Sequence, residues 1–381
     1  MLPPANKTIW GIGLGISILF GCPIGSSLAL QEPLMRVLVD NSPSFRFRAD
    51  GDLPLLVNFG SKHKRLSALN LKFNNDQILW SINNDFERWN QLPKHRHVSI
   101  QSSDPRGIWL GERRYRGELR VSLSDQNLSV VNHLGIERYL MSVVGSEMPK
   151  AWPIAALKAQ AVAARTYALK RIGKQGRFDI NSTESTQVYL GIEAETKSTR
   201  KAVNSTRSLV LRHHGELISA VFHSSSGGQT ESSGAVWKYQ LPYLVGVKDY
   251  DQHSPKYKWK LRFEQWELKK SFPEIGGLHS IQVLRRSKTG RILNSKIYGP
   301  YGSLNMTGVE LRNRLNLKST LAEFKFSSYS PDKGTFLLVI GQGAGHGVGM
   351  SQWGAYGLAK KGANFRQILH HFYRGVDIRA Y

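Results

Sequence analysis

Between residues 31 and about 130 the chain alternates short runs rich in β-branched, aliphatic and aromatic residues with turn signals. The runs are Met35–Val39, Leu55–Phe59, Gln77–Ile82, His97–Gln101 and Gly117–Leu123, a spacing that predicts a small β-rich domain. The pattern changes at Asn132. From Gly135 to Ser146, Tyr139, Leu140, Val143 and Val144 recur at helical spacing, and Pro149 stops the helix soon after. Pro153, a favoured first-turn residue, opens a second, alanine-rich helix that runs through Ala168 to a stop at Gly173. Its alanines 161, 164 and 168 share a face small enough for close backbone approach, which predicts packed core.

Beyond about Leu209 the period returns to two. Leu209–Leu211 and Leu217–Phe222 flank His213-His214-Gly215, and Ser280–Leu284 and Arg291–Ile297 flank Lys288-Thr289-Gly290, so two hairpins are expected. Thr335–Ile340 reads as a last apolar strand feeding the glycine-rich segment Gly341–Gly349, after which Ser351–Lys361 and Asn364–Tyr373 read as helices. The expected fold class is α+β: a β-rich protein with an Ala-rich helix pair at the active site and a glycine-rich loop followed by C-terminal helices. Three segments are expected: 1–30, a signal peptide or N-terminal anchor; 31–130, a small β-rich N-terminal domain; and 131–381, the region that carries the chemistry.

Residues 1–30 hold one charge, Lys7, then the apolar run Ile9–Gly21 and a small-residue site at Ser27-Leu28-Ala29. A basic start, a short apolar core and an A-x-A-like site form the pattern of a secretory signal peptide, with an uncleaved anchor as the alternative. The protein is therefore expected to be exported, to the periplasm or to the cell wall and extracellular space, and to touch a membrane only through an uncleaved N-terminal segment. Cys22 is the only cysteine, so the chain after Ala29 has none for a disulfide or for catalysis.

Charge narrows the partner. The chain has 52 Lys plus Arg against 28 Asp plus Glu, a net charge of +24. Residues 1–30 contribute +1, residues 31–130 contribute +4 and residues 131–381 contribute +19. Such an excess points to a polyanion: nucleic acid, anionic membrane or acidic polysaccharide. Export argues against nucleic acid.

Glu147, in Gly145-Ser146-Glu147-Met148-Pro149, stands at the predicted C-terminal end of one helix, where the helix dipole disfavours a carboxylate and pushes its pKa up, as a general acid requires. No second acid stands at a comparable position; Glu184, Glu231, Asp249 and Asp251 are candidates without a signature. Most glycosidases need two carboxylates. Lytic cleavage of a muramic-acid glycan needs one, because the sugar's own C6 hydroxyl can attack the anomeric carbon. The segment Phe222–Glu231 ends a strand in small polar residues and two glycines, able to bring donors close to a ligand or to form an ordinary loop. Residues 341–349 have glycine at every second position, so the backbone there must approach something closely or adopt positive φ repeatedly. The segment is not a phosphate loop, since neither G-x-x-x-x-G-K-[ST] nor G-x-G-x-x-G fits. His346 reads equally as a ligand-binding group or a satisfied core histidine. The histidines include no H-E-x-x-H and have no cysteine partners, which argues against zinc.

Taken together, Tyr139-Leu140-x-x-Val143-Val144-x-x-Glu147-Met148-Pro149-x-x-Trp152-Pro153 and the run Ala156–Ala168 strongly resemble the stage II sporulation protein D (SpoIID)/LytB family. Gln187-Val188-Tyr189, the His223–Thr230 segment and Gly345–Ala355 resemble its later motifs in the right order, so the resemblance covers about residues 131–378. It implies peptidoglycan glycan strands as substrate and, in SpoIID-like members, lytic transglycosylation of strands whose stem peptides an amidase has removed. LytB-like members are instead enhancers of a partner amidase. The family's catalytic acid falls on Glu147. Arg165, Tyr167, Gln187, Tyr189, His223, Ser226, Gln229, Thr230, His346, Ser351, Gln352 and Trp353 fall on motif positions expected to bind substrate. Some relatives carry cysteine and histidine in the loop matching Ser226-Gly227-Gly228-Gln229 and bind metal there; with Ser226 and Gln229 in place, neither metal nor cofactor is expected.

Overall fold

The computed structural model describes residues 32–60, 62–83, 85–92, 97–174, 176–328 and 335–381; the expected signal segment lies outside them. Strand Leu34–Ser42 pairs antiparallel with Asn127–Gly135 at the heart of a seven-stranded sheet. Ile180–Asn181 flanks this pair on one side; Glu118–Ser124, Val98–Gln101, Leu55–Asn58 and His63–Leu66 follow on the other. A six-stranded sheet comprises Arg113–Tyr115, Ile108–Leu110, Ser44–Ala49, Ala68–Asn74, Gln77–Ile82 and Asn90–Gln91. Alternation along the strands buries Met35 and Val37 of the first sheet and Phe45, Phe47, Leu69 and Leu71 of the second in one shared core.

Helix α1, Ile136–Glu147, starts where strand Asn127–Gly135 ends. Its first residue with a free N–H to satisfy, Glu137, donates to Oε1 of Glu32 at 2.8 Å, a carboxylate cap supplied by the chain just before strand Leu34–Ser42, whose first residue pairs with Gly135. Ile136, Tyr139, Leu140, Val143 and Val144 form its buried stripe. Met148 leaves the helix in extended conformation, as the residue before a proline tends to do. Helix α2, Ile154–Leu169, is buried nearly all round, with Ala161, Ala164 and Ala168 fully inside. Small side chains let α1 and the helices Lys197–Asn204, Gln352–Lys360 and Phe365–Phe372 all pack against it.

The expected boundary near residue 130 falls inside strand Asn127–Gly135, and the core that begins at Met35 runs on through both helices to Val376. A second core lies elsewhere. Trp259, Leu268, Phe272, Ile275, Leu278, Ile292, Ile297, Leu311, Leu337 and Val339 belong to it. Strands Lys258–Glu264, Thr335–Gln342 and Ala322–Ser328 form one of its sheets; Ser280–Arg286, Ile292–Gly299 and Gly302–Thr307 form the other. Helices Gln265–Ser271 and Gly308–Arg314 complete it. This subdomain is an insertion whose two ends, Lys258 and Gln342, are paired residues of one antiparallel ladder.

The α+β class holds, as do both expected hairpins, with one change. Leu209–His213 turns back into Glu216–Leu217 through His214 and Gly215, both at positive φ. The expected strand then breaks, and Phe222–His223 leaves that sheet to pair in parallel with Met350–Ser351.

Candidate active site

Glu147 is the last residue of α1 and is half-buried. Its Oε1 accepts the Val188 N–H at 2.9 Å and its Oε2 accepts the Gln352 side-chain amide at 3.0 Å. Burial pushes its pKa up, the two donors pull it down, and the charge of Glu184 pushes it up again. Desolvation, rather than the helix end itself, is the leading cause. No cation pairs with Glu147 among the described residues.

Behind the carboxyl lies a layer of tyrosines. The Tyr139 hydroxyl donates to Oε1 of Gln187 at 2.9 Å, and Gln187 donates to the Ala164 carbonyl at 3.2 Å. The buried Gln187 thus ties the segment presenting the Val188 N–H to α2. Tyr167, on α2, stands 6.3 Å from the Phe222 ring between centroids. Trp353, the residue after the Gln352 that donates to Glu147, forms an aromatic triad with Trp152 and Tyr356, with centroids 4.7 Å apart for Trp152 and Trp353 and 5.1 Å for Trp152 and Tyr356. Trp353 is fixed by its N–H to the Ser224 carbonyl at 3.0 Å.

The glycine-rich loop supports this floor. Gly343, Gly345, Gly347 and Gly349 all have positive φ, so both expectations for the segment apply. At Gly347 a Cβ would lie 2.5 Å from the Arg291 guanidinium carbon. His346 and His223 clamp Val348 from both sides. The Val348 N–H donates to His346 Nδ1 at 3.1 Å, and His223 Nδ1 donates to the Val348 carbonyl at 3.1 Å. His346 Nε2 donates to the Phe222 carbonyl at 3.0 Å, so both its ring nitrogens are used and burial brings its pKa down to about 4. This favours the satisfied-histidine reading. Burial also holds His223 neutral, with its Nε2 unpartnered. Among the described residues no three His, Cys, Asp or Glu side chains are grouped to hold a metal.

Beneath the loop lies a buried charged cluster that local patterns did not announce. Ser226 Oγ donates to Asp249 at 2.5 Å, while the Gly227 and Gly228 N–H groups donate to Asp251 at 2.8 and 3.0 Å. Arg291, from the inserted subdomain, donates to the Ser226 carbonyl at 2.6 Å. Burial and the neighbouring Asp251 push Asp249 up to about 6, and burial brings Arg291 down to about 10. Asp249 and Asp251 are network members, not a second carboxylate beside Glu147.

The residues expected at the site therefore separate. Glu147, Tyr167, Gln187, Gln352 and Trp353 gather around the carboxyl, with His346 at the far side of Phe222. Arg165 does not face the site: it is fully buried, forks onto Glu137 at 2.6 and 3.0 Å, and also donates to the Leu209 carbonyl. Tyr189 is buried with its hydroxyl on Asn132 at 2.7 Å. Thr230 is locked to Val247, Ser226 to Asp249, and Ser351 caps the helix Gln352–Lys360 through the Gly354 N–H. Gln229 is exposed, in an isolated bridge with Lys248. Val188, Trp152, Tyr356 and Arg291 were missed. Trp152 and Val188, each inside a family motif, carried a sequence signal; Tyr356 and Arg291 did not.

A β-rich α+β scaffold holding a half-buried carboxyl that pairs with no cation among the described residues and is bonded to the residue that precedes Trp353 of an aromatic triad defines the class. The chain belongs to the stage II sporulation protein (SpoIID) family, which matches residues 124–213, while a domain of unknown function (DUF8618) matches residues 238–349 and encloses the inserted subdomain. An uncharacterized protein of Brachyspira hyodysenteriae is 35% identical over 283 residues, spanning 72% of this chain and 75% of its own length. Stage II sporulation protein D of Bacillus subtilis is 31% identical over 268 residues, 65% of this chain and 75% of its own. The amidase enhancer of Bacillus subtilis is 29% identical over 294 residues, 64% of this chain but 40% of its own.

Proposed function

We propose that the protein is an exported lytic transglycosylase of peptidoglycan strands, with Glu147 as acid and then base. The observation supporting this is the Glu147 carboxyl, raised by burial, held by two neutral donors and, among the described residues, paired with no cation. Protonated Glu147 gives its proton to the glycosidic oxygen as the bond from the muramyl C1 breaks. Its carboxylate then takes the proton of the C6 hydroxyl as that oxygen bonds to C1. The products are a shortened strand and a 1,6-anhydro end; no water is consumed and Glu147 is protonated again. The +19 carried by residues 131–381 suits strands whose lactyl carboxylates are free, so binding weakens with salt.

Incubating the chain beyond Ala29 with denuded strands and measuring 1,6-anhydro-muramyl ends by mass spectrometry tests the reading. Glu147→Gln should lower the yield by about 10²- to 10⁴-fold. Equal yields from both proteins would overturn it. Similarity to a protein named amidase enhancer supports a second reading, a glycan-binding protein that stimulates a cell-wall amidase. In that case strand pull-down and amidase stimulation survive Glu147→Gln.

A further inference from the structure

Arg171 is a half-buried arginine without a carboxylate. Its guanidinium carbon lies 3.4 Å from the Tyr167 ring centroid, and its Nη1 makes one long contact, 3.4 Å, to the Tyr167 carbonyl. Among the described residues no Asp or Glu pairs with it. The other arginines tied to this part of the core are satisfied differently: Arg165 forks onto Glu137, and Arg36 onto Asp179. Removing a guanidinium from water without a counter-charge is unfavourable, and the group's pKa is accordingly lowered by burial. An anion arriving from solution would reverse that penalty.

Its position relative to Glu147 says where the anion belongs. Val188 donates to Glu147, its neighbour Gln187 donates to the Ala164 carbonyl, and Tyr167, whose ring carries Arg171, follows about one turn later on α2; the phenols of Tyr139 and Tyr167 both feel the negative charge of Glu147 and the positive charge of Arg171. Tyr139 is fully buried and its hydroxyl is used by Gln187; the Tyr167 hydroxyl has no hydrogen-bond partner among the described residues. Acid, open phenol and unpaired guanidinium therefore follow one another, with the latter two on α2 and the turn after it.

We propose that Arg171 is the subsite for a free carboxylate on the sugar next to the cleaved bond, receiving it as a bidentate pair. The inference rests on the reading of Glu147 as the acid at a muramyl glycosidic bond. That sugar carries a 3-O-lactyl group, which is a carboxylate when no peptide is attached and a neutral amide otherwise. Arg171 would thus make the protein prefer strands that an amide-cleaving reaction has already processed.

The test measures binding, in a Glu147→Gln background that cannot turn over, to denuded strands and to the same strands with lactyl groups capped as methyl amides. The parent should bind denuded strands about tenfold more tightly, and adding Arg171→Gln should bring both ligands to the weaker level. Arg171→Lys keeps the stem over Tyr167 but not the fork and should lose most of the preference; it serves if the glutamine variant does not fold. A preference that survives either substitution, or an equal loss for both ligands in folded protein, would overturn the proposal. If the protein without substitutions releases no anhydro ends while the preference and its dependence on Arg171 persist, the transglycosylase reading falls and the carboxylate subsite stands.

Discussion

Gln352 donates to Glu147 across 205 positions of sequence, so the first residue of a C-terminal helix completes the surroundings of the last residue of α1. This donor opposes the effect of burial on the carboxyl. Activity that needs protonated Glu147 is lost as pH rises through its pKa. Gln352→Leu leaves desolvation less opposed, so the alkaline limb of kcat/KM should move up by about one pH unit. A limb that stays or moves down would show that this contact does not set the acid.

Arg165 and Glu137 form a fully buried pair, and Arg165→Met leaves the carboxylate with little beyond the Ser208 N–H. Loss of one partner from such a pair costs about 3–5 kcal/mol. Denaturant unfolding should show that loss, and Glu137→Leu combined with Arg165→Met should recover part of it. Folded Arg165→Met protein should bind strands normally; a selective binding defect would return Arg165 to the cleft.

Asp249 titrates higher in the folded protein than in the unfolded chain, so the folded state holds its proton more tightly. The group's contribution to stability is present at low pH and lost as pH rises from about 4 towards about 6. Asp249→Asn should flatten the dependence of Tm on pH across that window, with the benefit appearing above it. Calorimetry at pH 4.5 and 7.5 gives the comparison, and an unchanged slope would assign the dependence to other groups.

Gly347→Ala combines a left-handed φ of 83° with a Cβ placed against a buried guanidinium. Backbone strain alone contributes about 1–3 kcal/mol, and displacement of Arg291 adds to it. The expected result is a marked fall in Tm together with weaker strand binding, because the loop carries Val348 and His346 and is bonded to His223. A variant with unchanged Tm would mean that Arg291 moves freely.

Much of this was legible. The extents of α1, α2 and the strands Gln77–Ile82 and Thr335–Gln342 and the existence of both hairpins follow local signals, and in α1 and Thr335–Gln342 burial repeats the period. Strand Lys258–Glu264 was not, since its alternation of Lys, Trp, Lys, Leu, Arg and Phe buries only a small core and reads as charged surface. The pairing of Leu34–Ser42 with Asn127–Gly135 has no local signal at all, which is why a boundary was expected where the core is continuous. At the site, Glu147 was marked by Pro149 and the end of a helical period, but its two donors come from Val188 and Gln352, reached only by folding. Arg165 was misplaced because a motif position says that a residue type is needed, not whether substrate or core needs it.

Because Lys258 and Gln342 face each other in one ladder, the host backbone meets the whole second core as a closed hairpin. Whatever lies beyond that pair can lengthen, shorten or be exchanged for a tight turn without stretching the strands and helices that hold Glu147, and with little change in loop-closure entropy. The chemistry is less permissive than the connectivity. Arg291 reaches out of the insertion to the carbonyl of Ser226, so any replacement must also bring a donor for that oxygen and a positive charge for the aspartates beside it.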